Sequence, residues 1–225
     1  MKTVILAAGV GKRFKGLDIP KPLTLLANGK SILGLQIETL SHYISLDELI
    51  IIVGYHKEKI MEQFPNLLYV YNPDFSEENT AKSLLRAFRK IHEDVLWLNG
   101  DVVFHPSALE ALLACQKSCM LVNKAPVGNE EVKYKTDSQG RIREVSKQIL
   151  ESQGEALGLN FFKAQDLEIL KKNLAMCHKT DYFEKGIELS IQQGASVWSV
   201  PVLASQCTEI DFPEDLNRAN EILWD

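Results

Sequence analysis

The sequence predicts an α/β fold: a doubly wound, mixed but mainly parallel sheet with helices on both faces and a small β-rich lobe in its second half. Short, continuous apolar runs in the first half are typical of strands buried on both faces, and segments of helical periodicity separate them. After about residue 120 the apolar runs become shorter and a hairpin turn follows. We therefore expect one domain over residues 1–225, with a ligand site at the carboxyl edge of the sheet.

Strands and helices alternate along the first half. Strands are expected at residues 3–8, 49–53, 67–71 and 95–98, and helices at 32–42, 56–64, 80–92 and 106–115. Because continuous apolar strands alternate with helices, this half predicts a parallel sheet covered on both sides.

The second half is predicted to be mixed. Strands are expected at residues 120–123, 131–136, 142–145, 157–162, 197–202 and 208–210, a hairpin turn at 137–140, and helices at 165–173 and 182–193. A last helix is predicted to begin at Pro213, because proline suits the first turn of a helix, with Asp211 close enough to cap it.

Composition excludes several classes of protein. The formal net charge is -5, which argues against a general preference for nucleic acid. The longest apolar stretches are too short to span a bilayer, and the first residues show no secretory signal pattern, so we expect no membrane insertion and a cytoplasmic protein. The four cysteines lack metal-ligand spacing, and we expect free thiols.

A glycine-rich loop, Ala7-Ala8-Gly9-Val10-Gly11-Lys12-Arg13, follows the first predicted strand. Glycines let the backbone turn tightly and bring N–H groups close to a phosphate, and the two cations add charge-assisted contacts. The loop is not a P-loop, because Leu6 stands where the first glycine belongs and no hydroxyl residue follows Lys12. Nor is it a dinucleotide fingerprint, because Phe14 occupies its last position. Alone, it is equally consistent with a simple turn carrying two solvated cations.

A proline-flanked lysine follows in Pro20-Lys21-Pro22-Leu23. The prolines stiffen the backbone around one cation, although a surface turn with an incidental lysine would explain this segment alone. Together, the strand, the glycine-rich loop and this segment resemble the nucleotidyltransferase superfamily that activates sugar phosphates and related alcohol phosphates, whose fold is Rossmann-like. The resemblance implies a nucleotide-binding half over about residues 1–120 and an acceptor-binding half, containing the β lobe, over about 121–225.

Two aspartates carry the resemblance further. Asp101, in Asn99-Gly100-Asp101 after a strand, resembles the metal-binding aspartate of that superfamily, and Asp211, before the last helix, resembles its second one. Taken separately, each could equally cap a turn or helix. The resemblance implies that Asp101 and Asp211 bind Mg²⁺, a hard cation that favours carboxylate and phosphate oxygens.

The resemblance also implies the chemistry. An oxygen of the acceptor phosphate attacks the α-phosphorus of a nucleoside triphosphate, and pyrophosphate leaves; this needs positioning and charge neutralisation rather than a general base. Arg13 and Lys12 would hold the β- and γ-phosphates, and Lys21 would stabilise charge at the α-phosphate. The implied catalytic residues are Arg13, Lys21, Asp101 and Asp211.

The choice of base depends on residues 78–84. An Asn79-x-x-x-Ser83-Leu84 arrangement before a helix resembles the small cytidylyltransferases that act on phosphocholine, inositol phosphate or similar acceptors, which implies CTP. Asn79 and Ser83 can hydrogen-bond a pyrimidine or ribose, while helix capping by Asn79 or Thr80 is an equal alternative. The predicted nucleotide-binding set is Leu6, Ala7, Ala8, Gly9, Gly11, Lys12, Arg13, Lys21, Asn79, Thr80, Ser83 and Gly100.

Acceptor binding is assigned to four charged residues by resemblance and position. Lys147 and Glu155 lie in segments that resemble acceptor-pocket elements, while Asp181 and Glu184 are weaker candidates at a predicted helix start, where acidic residues favour the helix dipole. A choline acceptor would need an aromatic cage for its ammonium group. The available aromatic residues are Tyr134, Tyr182, Phe183 and Trp198.

Three functions follow from this sequence. The first is Mg²⁺-dependent transfer of CMP from CTP to a small phosphomonoester or phosphonate acceptor, phosphocholine-like in character, giving a CDP-linked product. The second is a sugar-1-phosphate nucleotidyltransferase that uses UTP, dTTP or GTP. The third is a nucleotide-binding regulatory protein without catalysis, against which the retained Arg13, Lys21, Asp101 and Asp211 argue.

Overall fold

The computed structural model describes residues 1–11, 19–212 and 214–222. The strands are β1 (Lys2–Ala7), β2 (Leu49–Val53), β3 (Leu68–Tyr71), β4 (Val95–Asn99), β5 (Val102–Phe104), β6 (Cys119–Asn123), β7 (Lys133–Thr136), β8 (Ile142–Ser146), β9 (Gly154–Phe162), β10 (Trp198–Pro201) and β11 (Cys207–Glu209). The helices are α1 (Ile32–Ser41), α2 (Lys57–Gln63), α3 (Thr80–Phe88), α4 (Pro106–Ala114), α5 (Ala164–Met176), α6 (Phe183–Gln192) and α7 (Asp215–Ile222).

One mixed sheet organises the described part of the chain. Its strand order is β10-β6-β9-β4-β1-β2-β3, and the β7–β8 hairpin joins it through β9. The neighbours β3, β2, β1 and β4 are parallel, whereas β9 is antiparallel to both β4 and β6. Strand order therefore reverses between β1 and β4, and such a switch point is where an open α/β sheet opens a crevice for a ligand.

Helices cover both faces of the sheet over separate apolar layers. On one face, the Trp97 ring contacts the rings of Phe88, Phe162 and Phe183 at centroid distances of 5.4, 5.0 and 5.7 Å. On the other, side chains of α1 and α4 pack on β1, β2 and β4. These packed layers, with the sheet order, confirm the predicted α/β class.

A short antiparallel pair, β5 with β11, brings the end of the chain back to the sheet edge. Glu209 on β11 is level with Val102 on β5, and the backbone N–H of Ile210 donates to the carbonyl of Asp101 over 2.9 Å. Strand β5 was not predicted, because only three apolar residues separate the Asp101 turn from α4. This pairing fixes residues 209–211 beside residue 101.

The last helix corrects one prediction. It begins at Asp215, not at position 213, which lies outside the described residues. Asp211 does not cap it: the Asp215 carboxylate instead accepts hydrogen bonds from the backbone N–H groups of Asp211 and Phe212, each over 2.8 Å. The Asp211 side chain accepts a hydrogen bond from the Lys21 ammonium over 3.0 Å.

Two further expectations can be compared with the described residues. All four cysteines are free thiols, as expected. Across residues 1–11, 19–212 and 214–222, no helix has the length and apolar character that crossing a bilayer requires.

Candidate active site

A cleft of about 450 Å³ opens at the carboxyl ends of β1 and β4, where the strand order reverses. Most of the predicted site residues that the structure describes line it. These are Leu6, Ala7, Gly9, Gly11, Lys21, Asn79, Thr80, Gly100, Asp101, Lys147, Glu184 and Asp211. Ala8 and Ser83 line a small recess that shares several walls with the cleft. The cleft therefore has a glycine-rich side, a charged centre and an end formed by residues of the second half.

Glycines let three backbone segments meet at the cleft. Gly100 donates its N–H to the Leu6 carbonyl over 2.9 Å, and a Cβ on Gly100 would lie only 2.7 Å from that oxygen. Gly11 has a φ of +63°, and a Cβ there would lie 3.1 Å from the Cβ of Lys21. Lys12 and Arg13 lie outside the described residues, so their roles stay predictions.

Lys21, Asp101 and Asp211 meet at the centre of the cleft. The Lys21 Nζ donates to Asp101 Oδ2 over 2.7 Å and to Asp211 Oδ1 over 3.0 Å. The Lys21 side chain is only 10% exposed, and the two aspartates are 26% and 32% exposed. Burial by itself would lower the pKa of Lys21, but the two carboxylates outweigh it and hold the pKa above its usual value. The ammonium therefore stays charged.

The same two carboxylates fit the metal that the sequence implies. They face one cation between them, here the Lys21 ammonium. Mg²⁺ characteristically takes one or two protein carboxylates and completes its shell with water and substrate phosphates. Within the described ranges no group of three or more His, Cys, Asp or Glu residues is arranged to hold a metal. The donor set therefore fits a cation shared with a phosphorylated substrate, not one enclosed by protein.

Glu209 is a cleft residue that the sequence reasoning missed. It is two positions before Asp211, lines the cleft, and accepts a hydrogen bond from Asn99 Nδ2 over 2.8 Å. Burial, reinforced by the nearby Asp101 carboxylate, raises the pKa of Glu209 well above its usual value. Glu209 and Asp211 are two positions apart, and residues at that spacing in an extended segment share a face. This spacing is the sequence signal that could have identified Glu209.

At the nucleotide end, the predicted polar side chains also hold the backbone together. The Asn79 Oδ1 accepts from the Thr80 N–H over 2.8 Å at the start of α3, so the capping interpretation is correct. The Thr80 hydroxyl accepts from the Phe183 N–H over 3.0 Å, and the Ser83 hydroxyl accepts from the buried Asn72 Nδ2 over 2.9 Å. Binding of a base by these residues stays a prediction.

An ion-paired arginine supports the same wall. Arg86 on α3 donates to Glu78 Oε2 over 2.9 Å and to Asp74 Oδ2 over 2.5 Å. Glu78 lines the cleft, so Arg86 ties a cleft-lining residue to the helix behind it. Sequence reasoning did not find this pair, because eight and twelve residues separate the partners.

Lys147, Tyr182 and Glu184 line the part of the cleft that we call the acceptor end. It adjoins the nucleotide end, because the Phe183 N–H, between Tyr182 and Glu184, donates to the Thr80 hydroxyl. The Lys147 Nζ lies 4.4 Å from the centre of the Tyr182 ring and 3.9 Å from Glu130 Oε2. The Glu184 side chain lines the cleft wall, is buried, and its Oε2 makes no hydrogen bond within the described structure. Burial raises the pKa of Glu184 to about 7, while the Lys147 charge opposes the rise. A buried carboxylate oxygen without a hydrogen bond is costly, and the raised pKa reflects that cost.

Two predicted acceptor residues do not line the cleft. Glu155, on β9, is turned toward Asn123, whose Nδ2 donates to it over 3.0 Å, and burial raises its pKa to about 7. Asp181 closes the turn before α6, where its Oδ2 accepts from the His178 N–H over 2.7 Å. Both side chains make local hydrogen bonds, and binding of an acceptor by either residue stays a prediction.

The four aromatic candidates do not form a cage. Tyr134 and Phe183 are buried in the core, and Trp198, on β10, has the Lys117 ammonium 3.9 Å from its ring centre. Tyr182 lines the cleft. Of these aromatic residues, a cation at this end can therefore contact the Tyr182 ring, beside the buried Glu184 carboxylate, but not a cage of several rings.

The cleft at the switch point combines a glycine-rich turn with a lysine between two aspartates. Residues 3–159 match the MobA-like NTP transferase domain, which is more than half of the chain, and the chain belongs to that family. The predicted resemblance to nucleotidyltransferases is thereby confirmed.

Relatives and solved structures agree with this class. A CMP-5'-(3-aminopropyl)phosphonate synthase of Streptomyces rubellomurinus is 34% identical over 137 residues, which are 56% of this chain and 21% of that protein. A CTP:phosphocholine cytidylyltransferase from Streptococcus pneumoniae has a TM-score of 0.82 at 22% identity, covering 99% of this chain and 98% of that one. The inositol-1-phosphate CTP transferase from T. maritima has a TM-score of 0.79 at 20% identity, covering 99% and 96%. The match thus spans about a fifth of the curated relative, while the fold is shared along nearly the whole chain.

Proposed function

We propose that this protein is an Mg²⁺-dependent cytidylyltransferase. It transfers CMP from CTP to a small phosphonate or phosphomonoester whose other end carries a positive charge, and it releases pyrophosphate. The observation that carries the proposal is Glu184, a buried carboxylate with an unpaired oxygen in the wall of the same cleft that holds the Lys21 centre.

The acceptor end has complementary groups for such a molecule. Lys147 supplies a positive charge suited to the acceptor phosphonate or phosphate. Its ammonium lies over the Tyr182 ring, so a move of Lys147 to the acceptor phosphonate would free that face for a ligand cation. Glu184 supplies the negative charge for an ammonium group. A neutral polyol would leave the buried carboxylate unmatched, whereas an ammonium would pair with it.

The charged centre supports the transfer itself. An oxygen of the acceptor dianion forms a bond to the α-phosphorus of CTP, and the bond from that phosphorus to the bridging oxygen of pyrophosphate breaks. Lys21 is placed to neutralise charge that develops on the α-phosphate, and the amides of the Gly9–Gly11 turn line the neighbouring wall. Asp101 and Asp211 would hold Mg²⁺, which supplies further positive charge to the phosphates. Lys12 and Arg13 are predicted to hold the leaving phosphates.

The compared proteins support this choice of substrates. Two names specify CTP, and the third specifies a CMP-linked aminopropylphosphonate. Two of the three acceptors, phosphocholine and an aminoalkyl phosphonate, carry a cation at the end opposite the phosphorus. The identity of the base also draws support from the Asn79-x-x-x-Ser83 arrangement at the nucleotide end.

The test is a pyrophosphate-release assay with CTP, UTP, dTTP and GTP, each against a panel of acceptors. The panel pairs phosphocholine and 3-aminopropylphosphonate with neutral propylphosphonate, and adds inositol phosphate and glucose 1-phosphate. We expect CTP with a cationic acceptor to give the highest kcat/KM. Highest turnover of a sugar 1-phosphate with UTP, dTTP or GTP would favour the second function. Nucleotide binding without turnover of any pair would favour the regulatory one.

A further inference from the structure

We propose that Lys21 and the divalent metal exchange places on Asp101 and Asp211. In the free enzyme the Lys21 ammonium is the counter-cation of the two carboxylates, and it moves to the substrate phosphates when a metal ion enters with the nucleotide. The proposal rests on the metal dependence in the proposed function, and it concerns the order in which metal and nucleotide bind.

The first step is that the two cations need the same two carboxylates. The Lys21 Nζ lies within 3.0 Å of one oxygen from each aspartate, so it occupies the point between them. A magnesium ion bound to both aspartates would have to approach these carboxylates to 2.0–2.1 Å. A dication and an ammonium group cannot share this small, partly buried space without strong repulsion.

The second step is that the Lys21 side chain has a short route to a second partner. Its backbone is fixed, because the Leu23 N–H donates to the Pro20 carbonyl over 2.8 Å and the Thr24 N–H to the Lys21 carbonyl over 3.0 Å. Its aliphatic stem runs beside Gly11 in the glycine-rich turn. The ammonium can therefore move from the carboxylates toward phosphates held by that turn through side-chain rotation alone.

The third step concerns charge. With Lys21 between them, the two carboxylates present about one unit less negative charge to an incoming metal ion than they would without it. A triphosphate lowers the cost of moving Lys21, because it gives the ammonium a new anionic partner and offers the metal its own oxygens. Metal binding to the free enzyme is therefore weak, and nucleotide strengthens it. By thermodynamic reciprocity the metal strengthens nucleotide binding by the same factor.

The experiment measures Mn²⁺ binding by the electron paramagnetic resonance signal of free Mn²⁺, with no nucleotide present. Wild type is compared with Lys21→Gln, and Lys147→Gln is the matched control, a lysine of the same cleft that does not contact either aspartate. We expect Lys21→Gln to bind Mn²⁺ at least tenfold more tightly than wild type, and Lys147→Gln to change the affinity less than threefold. Adding Asp101→Asn to Lys21→Gln should remove the gain.

A second measurement covers the case in which Lys21→Gln does not fold. Wild-type protein labelled with ¹⁵N at lysine Nζ should show a protected Lys21 ammonium signal, assigned with Lys21→Arg. The signal should shift when Mg²⁺ and a non-hydrolysable CTP analogue are added together, and shift less with Mg²⁺ alone. An unmoved signal overturns the exchange.

The outcomes separate the exchange from the proposed function. Equal Mn²⁺ affinity of wild type and Lys21→Gln overturns the exchange and leaves the metal-dependent function in place. Absence of Mn²⁺ binding to both proteins, with and without the CTP analogue, overturns both. The choice between CTP and another triphosphate has no bearing on the nucleotide-free measurement.

Discussion

The centre and the acceptor end of the cleft treat buried charge in opposite ways. At the centre, the Lys21 ammonium pairs with both Asp101 and Asp211, over 2.7 and 3.0 Å. At the acceptor end, one oxygen of the buried Glu184 has no hydrogen-bond partner in the described structure. The charged groups of the centre thus contact one another, whereas Glu184 leaves one buried carboxylate oxygen without a hydrogen bond. Substitutions at the two ends should therefore have different effects.

The largest effect is expected at the carboxylates of the centre. Asp101→Asn and Asp211→Asn should each lower kcat by about 10³-fold or more, because a neutral amide is a poor ligand for Mg²⁺ and leaves the phosphates less neutralised. Circular dichroism should show an intact fold. Asp47→Asn, at an exposed aspartate remote from the cleft, is the control and should behave like wild type. Turnover near the wild-type rate in either variant, or activity in excess chelator, would remove the metal from the proposal.

Lys21 should affect rate more than nucleotide affinity. Lys21→Ala is expected to lower kcat by about 10²–10³-fold, the size of effect seen when one preorganised electrostatic donor is removed, with a smaller change in the equilibrium binding of CTP. Lys21→Arg should rescue poorly, because a planar guanidinium does not fit where a compact ammonium is held at 10% exposure. A variant that binds CTP weakly but turns over normally at saturation would make Lys21 a binding residue only.

These two predictions concern residues that the sequence identified and the fold brings together. Lys21 and Asp101 are 80 positions apart, and Lys21 and Asp211 are 190 apart. Motif resemblance found all three, because each lies in a short local sequence pattern. Glu209 was missed because it is the last residue of a strand whose partner, β5, is three residues long and more than a hundred positions away. The sequence next to Glu209 carries no signal for the pairing of β11 with such a distant, short strand.

Side-chain direction separates two of the predicted acceptor residues. Glu155 hydrogen-bonds Asn123 and does not line the cleft, whereas Glu184, predicted at a helix start, does line it. Which way a side chain turns depends on its tertiary neighbours. The positions of the parallel strands followed from hydrophobic pattern, because continuous apolar runs are typical of strands buried on both faces.

The pH dependence of stability should isolate Glu184. Burial raises its pKa in the folded protein from the usual 4.5 to about 7, so the folded state binds this proton more tightly than the unfolded chain does. Stability contributed by the proton is therefore present at low pH and is lost as the pH rises through about 7. Glu184→Gln should match wild type near pH 4.5 and be more stable at pH 8, by up to about 3 kcal/mol. Thermal unfolding at both pH values measures this. Glu188→Gln, at the ion-paired neighbour on α6, should not show the gain.

The same variant should separate cationic from neutral acceptors. Glu184→Gln is expected to raise KM for 3-aminopropylphosphonate or phosphocholine by about 10- to 100-fold, because it removes a charge-assisted contact worth about 1.5–3 kcal/mol. KM for neutral propylphosphonate should change less than threefold. For wild type, KM for the cationic acceptor should fall as the pH rises through about 7, since the ionised carboxylate binds the ammonium. Equal losses for charged and neutral acceptors would show that Glu184 only supports the wall.

The smallest effect is expected at the nucleotide end, where the charges are paired but none is assigned to the reaction. Arg86 holds Asp74 and Glu78 together, and Glu78 lines the cleft beside Asn79. Arg86→Ala should loosen this wall and raise KM for CTP by about three- to tenfold, equivalent to about 1 kcal/mol for a partly exposed ion pair. Saturated kcat should stay within twofold, because the Lys21 centre is untouched.

Arg89→Ala, at the exposed end of the same helix, is the matched control. Arg86→Lys should recover part of the affinity for CTP, since lysine keeps the positive charge but lacks the planar guanidinium that contacts both carboxylates. A fall in kcat equal to the rise in KM would show that this wall positions the α-phosphate as well as the base, and the two ends of the cleft would then be coupled through it.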